Sequence, residues 1–115
     1  MTDITPALID GVDVFAEQVS EVHSPYDGAT IGAVPACTTD DLDRAIAVAL
    51  DRHRCGPPPA FERAEILDRA AVLLAERHEE FAQSISSESA KPITTARVEA
   101  QRAVDTIRFS AAEAR

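Results

Sequence analysis

The sequence predicts an α+β chain, with two N-terminal β-hairpins followed by three or four α-helices. Three observations carry this. Asp10-Gly11 sits between the short apolar pieces Leu8-Ile9 and Val12-Asp13-Val14. A second turn, Ser24-Pro25-Tyr26-Asp27-Gly28, separates Val19–His23 from Ala29–Val34. From Thr39 onward apolar residues recur at gaps of three and four, which is the helical period.

The elements follow in order. Asp-Gly tolerates the positive φ angles of a tight hairpin turn. In the second turn Pro25 presets its own φ and Gly28 can enter the left-handed region. Pro35 ends the returning strand, since proline has no N–H for a ladder. Thr38-Thr39-Asp40-Asp41 opens a helix, with a Thr hydroxyl as cap and the acids at the positive end of the helix dipole. Leu42, Ala45, Ile46, Ala49 and Leu50 mark the face expected to be buried. Arg52-His53-Arg54 suits the helix C-terminus, and Cys55-Gly56-Pro57-Pro58-Pro59 is a firm breaker.

The next helix begins near Pro59 or Ala60. Ile66, Leu67, Ala70, Ala71, Leu73 and Leu74, then Phe81 and Ile85, form its apolar stripe. His78-Glu79-Glu80 either bends it or starts a new helix, and Lys91-Pro92 ends the segment. Thr94 or Thr95 is expected to cap the last helix. Its face (Ala96, Ala100, Ala103, Val104, Ile107, Ala111) is made mostly of small residues that let helices approach closely. The expected spans are hairpins at about 7–35 and helices at about 39–54, 60–90 and 94–115.

Composition sets further bounds. With 115 residues the chain suits one small domain or part of a larger one. Its 45% apolar fraction opposes wholesale disorder, but the absence of Trp and an abundance of Ala predict a thin core and a marginal fold. A net charge of −9 works against binding nucleic acid. No apolar run approaches a membrane span, and Met1-Thr2-Asp3-Ile4-Thr5-Pro6 lacks the pattern of a signal peptide, so the cytoplasm is expected.

Candidate chemistry is sparse. Cys37 and Cys55 read as free thiols, and neither belongs to a Cys-x-x-Cys pair. His53-x-Cys55 lacks a second ligand pair, and His23 and His78 stand alone, so no metal site is expected. The acid pairs Glu62/Glu65, Glu79/Glu80 and Asp40/Asp41 fall on polar faces or caps, where no burial separates their pKa values. There is no Gly-rich phosphate cradle and no Gly-x-Ser-x-Gly.

The ordered blocks carry a resemblance. They are Leu8-Ile9-Asp10-Gly11, Ser24-Pro25-Tyr26-Asp27-Gly28-Ala29-Thr30-Ile31-Gly32-Ala33-Val34-Pro35, Thr39-Asp40-Asp41-Leu42-Asp43-Arg44-Ala45-Ile46, Glu62-Arg63-Ala64-Glu65-Ile66-Leu67, Glu88-Ser89-Ala90-Lys91-Pro92 and Ala103-Val104-Asp105-Thr106-Ile107-Arg108-Phe109. Together they resemble the beginning of NAD(P)-dependent aldehyde dehydrogenases, from about Ala7 to Arg115. The resemblance implies that 1–115 is an incomplete N-terminal part of the α/β cofactor-binding domain. It also implies that the catalytic Cys, the general-base Glu and the cofactor motifs lie downstream. No catalytic, cofactor-binding or metal residue is therefore carried over. Lys91 reads as part of a helix-end packing feature, not as the family's cofactor lysine.

Three departures stand out. Ala90 occupies a position where the family usually has Gly, the Cys55–Pro59 stretch replaces one where an aromatic is common, and no Trp follows Asp10-Gly11. The Ser-Pro-Tyr-Asp-Gly turn is similar to that of lactaldehyde- and phosphonoacetaldehyde-type members. The expected function is a truncated aldehyde dehydrogenase-like chain. It is inactive alone and binds no cofactor alone, whereas the full-length family uses NAD or NADP. The alternatives are one half of a split enzyme and a non-catalytic helical interaction module. The last helix reaches Arg115 with no closing Gly or Pro, which favours the truncated reading. Exposed helix faces are expected to promote self-association or docking of a complementary chain.

Overall fold

The computed structural model describes residues 4–115; the signal-peptide reading bears partly on Met1, Thr2 and Asp3, which lie outside the described residues. The chain forms two compact units, one up to Pro57 and one from Pro58 to Arg115.

The first unit holds both hairpins and one helix. β1 (Ala7–Ile9) and β2 (Val12–Val14) are antiparallel, with Ile9 opposite Val12. The two-residue loop has Asp10 at φ 55° and Gly11 at φ 72°. These are the positive angles that match the right-handed twist of hairpin strands. β3 (Val19–His23) pairs with β4 (Thr30–Pro35), with a register shift at Val22/His23. The turn between them is held by short-range bonds. Tyr26 N–H donates to Ser24 Oγ, Ala29 N–H donates to Asp27 Oδ1, and Gly28, at φ 73°, donates to Ser24 O. Pro35 closes β4, as its missing donor predicts.

α1 (Thr39–Arg54) starts with a full capping box. Asp41 N–H donates to Thr38 Oγ1 at 3.2 Å, and Thr38 N–H donates to Asp41 Oδ2 at 2.9 Å. The helix ends at Cys55, followed by Gly56 at φ 78°. The expected buried face is not buried. Leu42, Ile46 and Leu50 are all exposed, Ala49 is exposed, and only Ala45 among the five is half-buried. The reason is the partner: α1 meets β1, a strand of three residues, which is too short to cover a helix of four turns.

The second unit is helical. The expected 60–90 helix is two helices, α2 (Ala60–Glu76) and α3 (His78–Ser89). They are divided at Arg77, whose φ −100° and ψ 17° leave the helical region. α4 (Ile93–Glu113) packs on both α2 and α3. Neither Thr94 nor Thr95 caps it. Pro92 takes the N-cap position with φ −54°, and its carbonyl accepts from Thr95 N–H and Ala96 N–H. A proline preset near this φ opens a helix without a side-chain cap.

The core is built of small residues. Ala64, Ala71, Ala82, Ala96, Ala100, Val104 and Ala111 are all 1% exposed or less, with Ile85 and Ile93 packed on the Ala82–Ala96–Ala100 cluster. Small residues at the contact bring helix axes close, near the lower end of the usual 8–10 Å. The larger residues of the α2 stripe turn outward: Ile66 and Leu73 are exposed, while Leu67, Ala70 and Leu74 are half-buried. A buried methyl contributes about 0.8 kcal/mol, against about 1.5–3 kcal/mol for a whole Leu or Ile. The thin core anticipated from composition is the one observed.

Candidate functional site

Two places gather polar or reactive groups, one in each unit. In the first unit, β1 and the start of α1 frame an open recess of about 410 Å³. Its lining includes Ala7, Ile9, Leu42 and Ala45, with Cys37, Thr38 and Asp41 on the polar side. Cys37 is a free, exposed thiol, and its backbone N–H donates to Pro35 O. The Thr38 hydroxyl and Asp41 carboxylate are spent on each other in the capping box. Hydrogen bonds from Thr38, backbone first and then side chain, hold the Asp41 carboxyl below the usual carboxylate range. A carboxylate stabilised in its charged form is a poor proton acceptor, so it is a weak base for a thiol. The recess offers apolar contact and one exposed thiol.

In the second unit a polar clasp joins α3 to α4. Arg97 Nε and Nη2 each donate to Glu79 at 2.8 Å, forming a bidentate pair. Gln83 Nε2 donates to Glu79 Oε1, and His78 Nε2 donates to Arg97 O at 2.9 Å. Arg97 first, then Gln83, pulls the Glu79 pKa down to about 2. Next to it Glu80 pairs with Arg77, whose guanidinium lies 5.3 Å over the Phe81 ring. Glu79 and Glu80 therefore have an arginine each and do not form a coupled acid–base pair. This arrangement fixes the positions of α3 and α4 relative to each other.

The Glu88–Pro92 block is a helix terminus. Ala90 caps α3 in the left-handed region, with φ 55° and ψ 24°. Ser86 Oγ donates to Lys91 O at 2.7 Å, and Lys91 pairs with Glu99 on α4. His23 lies by Thr30 and Glu21, and Cys55 is an exposed free thiol at the end of α1. Among the described residues no three His, Cys, Asp or Glu side chains converge as a metal site. No helix among them is long and apolar enough to cross a membrane. The Glu79–Arg97 clasp was not legible in the sequence, because eighteen residues and a chain reversal separate its members.

Comparison with known proteins resolves the affiliation. Residues 14–115 match the model of the aldehyde dehydrogenase family. The chain belongs to the aldehyde dehydrogenase family. An aldehyde-dehydrogenase-like protein of Sinorhizobium fredii is 41% identical over 99 residues, covering 82% of this chain and 19% of that protein. The 3-sulfolactaldehyde dehydrogenase of Priestia megaterium is 35% identical over 120 residues, covering 100% of this chain and 25% of the enzyme. The crystal structure of an NAD-dependent aldehyde dehydrogenase from Sinorhizobium meliloti superposes with a TM-score of 0.90 at 30% identity, covering 97% of this chain and 24% of that one. The chain thus spans about a fifth to a quarter of the length of these relatives. The two small sheets and four helices of the described residues match the beginning of aldehyde dehydrogenase structures.

Proposed function

We propose that this chain supplies the N-terminal part of an aldehyde dehydrogenase cofactor-binding domain and does not by itself oxidise an aldehyde. The family reaction takes an aldehyde to an acid with NAD or NADP as hydride acceptor. It needs a thiol nucleophile, a base and a dinucleotide held in one geometry. The single observation carrying the proposal is that the matched region is about a quarter of an enzyme of this family. The state of the polar groups supports it. Asp41 is committed to a helix cap, Glu79 and Glu80 to arginines, and both cysteines are exposed. The purified chain is expected to reduce neither NAD+ nor NADP+ above a protein-free blank when offered a panel of small aldehydes. Aldehyde-dependent cofactor reduction would overturn the proposal.

A second reading is favoured by the outward stripe of α2. Ile66 is 51% and Leu73 59% exposed on one helix face, which suits a polypeptide that docks there. In this reading the chain is half of a split aldehyde dehydrogenase. Co-expression with the remaining three quarters of the Priestia megaterium enzyme tests it: activity appearing only with both chains supports the split form.

A further inference from the structure

We infer that the Asp10-Gly11 bond is a site of spontaneous isoaspartate formation, and that the other Asp-Gly bond, Asp27-Gly28, is protected by the turn that holds it. The chemistry is the same at both. The glycine amide nitrogen attacks Cγ of the aspartic acid, an N–Cγ bond forms, and the amide proton and the carboxyl OH leave as water. The product is a five-membered succinimide. Water then reopens the ring. Breaking the new N–Cγ bond restores aspartate, and breaking the original peptide bond gives isoaspartate. The water lost in the first step returns in the second, so no oxidant, reductant or other co-reactant enters. Glycine favours attack because it has no Cβ beside the nitrogen.

Ring closure needs an available glycine N–H, an available aspartate carboxyl and a backbone able to swing one onto the other. At Asp27-Gly28 all three are tied. Gly28 N–H donates to Ser24 O at 2.8 Å, Asp27 Oδ1 accepts from Ala29 N–H at 3.1 Å, and Ser24 N–H donates to Ala29 O at 2.8 Å. The OH departs from the neutral acid, and the Ser24 hydroxyl, then the Ala29 N–H, hold the Asp27 carboxyl below the usual carboxylate range. The neutral form is correspondingly scarce. At Asp10-Gly11, among the described residues, the Gly11 N–H has no acceptor and the Asp10 carboxylate has neither a donor nor an ion-pair partner.

The flanking ladders differ in the same sense. β3 and β4 are joined through five residue pairs, and Thr5 N–H donates to Ala33 O alongside them. β1 and β2 are joined through three. A two-stranded ribbon that short is marginal, so it opens locally at low cost and lets Asp10 leave its turn conformation. The consequence reaches beyond the turn. An isoaspartyl residue adds one methylene to the main chain, and a two-residue loop with Asp10 at φ 55° and Gly11 at φ 72° does not accommodate it. The hairpin loses its register, and β1, whose Ala7 and Ile9 line the recess against α1, loses its partner strand.

Ageing the full chain at neutral pH and body temperature tests the inference. No Lys or Arg precedes Arg44, so one tryptic peptide carries both sites, and electron-transfer fragmentation separates isoaspartate from aspartate at each. In the folded chain isoaspartate should form at least about tenfold faster at position 10 than at 27, the factor that one or two hydrogen bonds of ordinary net worth supply. In chain unfolded with guanidinium chloride the two sites should react at similar rates. Hydrogen exchange of the aged folded chain should show lost protection at the β1–β2 amides, and an Asp10→Glu chain aged alongside should keep the protection it had when fresh. Equal rates at the two sites in the folded chain, or faster modification at Asp27, would overturn the inference. So would a preference for Asp10 that persists undiminished in guanidinium chloride, or a folded chain that forms no isoaspartate at position 10 while the unfolded chain forms it at both.

Discussion

Ala90 offers the sharpest test of the local physics. It ends α3 at φ 55° and ψ 24°, a conformation natural to glycine. For a residue with a Cβ the left-handed region costs roughly 1–2 kcal/mol. Ala90 is exposed, so removing its methyl group forfeits little burial. Ala90→Gly relieves the strain but frees the unfolded chain, which offsets about 0.4–1 kcal/mol. The net stabilisation is about 0.5–1 kcal/mol. For a unit the size of Pro58–Arg115 this raises the midpoint by about 2–8 °C. Ala90→Val should move it the other way, because a β-branched side chain tolerates positive φ still less. Thermal melts followed by far-UV circular dichroism read both. An unchanged or lowered midpoint for Ala90→Gly would refute the reasoning, since it would mean that no strain is stored at the α3 terminus.

Further predictions follow from the caps, the clasp and the core. Thr38→Ala removes both the hydroxyl and the capping box of α1, and should cost about 0.5–2 kcal/mol in denaturant unfolding. Thr94→Ala should stay within about 0.5 kcal/mol, since Pro92 holds that N-cap. Glu79 has a folded pKa of about 2, depressed from its ordinary value of 4.5, so its stabilisation is present above pH 4.5 and lost as pH falls toward 2. Glu79→Gln should therefore lower the melting midpoint at neutral pH and lose its effect near pH 2. Val104 is 0% exposed, and Val104→Ala should cost about 1–3 kcal/mol, while Ala96→Leu should destabilise by a similar amount through overpacking. Urea titrations compare the two.

The features legible in the sequence were those settled within a few residues. The Asp10-Gly11 and Asp27-Gly28 turns, the Thr38 cap, the Pro35 stop and the Cys55-Gly56 break each follow from one residue's φ preference or one hydroxyl. Burial was harder, because a periodic stripe gives a face but not its neighbour. Leu42, Ile46 and Leu50 have a good helical period and still lie exposed, because the strand beside them is only three residues long. On α2 the alanines go inward and Ile66 and Leu73 outward, because close approach to α4 selects small side chains. The break at Arg77 carries neither Gly nor Pro; His78-Glu79-Glu80 marked the place but left a bend and a new helix equally open, and the structure has the new helix. The Glu79–Arg97 clasp depends on the chain reversing between α3 and α4, which residue spacing does not encode. The family affiliation was legible because it rested on ordered blocks rather than on any one side chain.

Dinucleotide binding tests the central claim most directly, because it precedes any turnover. Isotope-labelled chain titrated with NAD+ and with NADP+ should show no saturable change in its amide resonances. Saturable shifts clustered on a set of neighbouring residues would contradict the account, by showing that this quarter of an aldehyde dehydrogenase fold already holds a cofactor site.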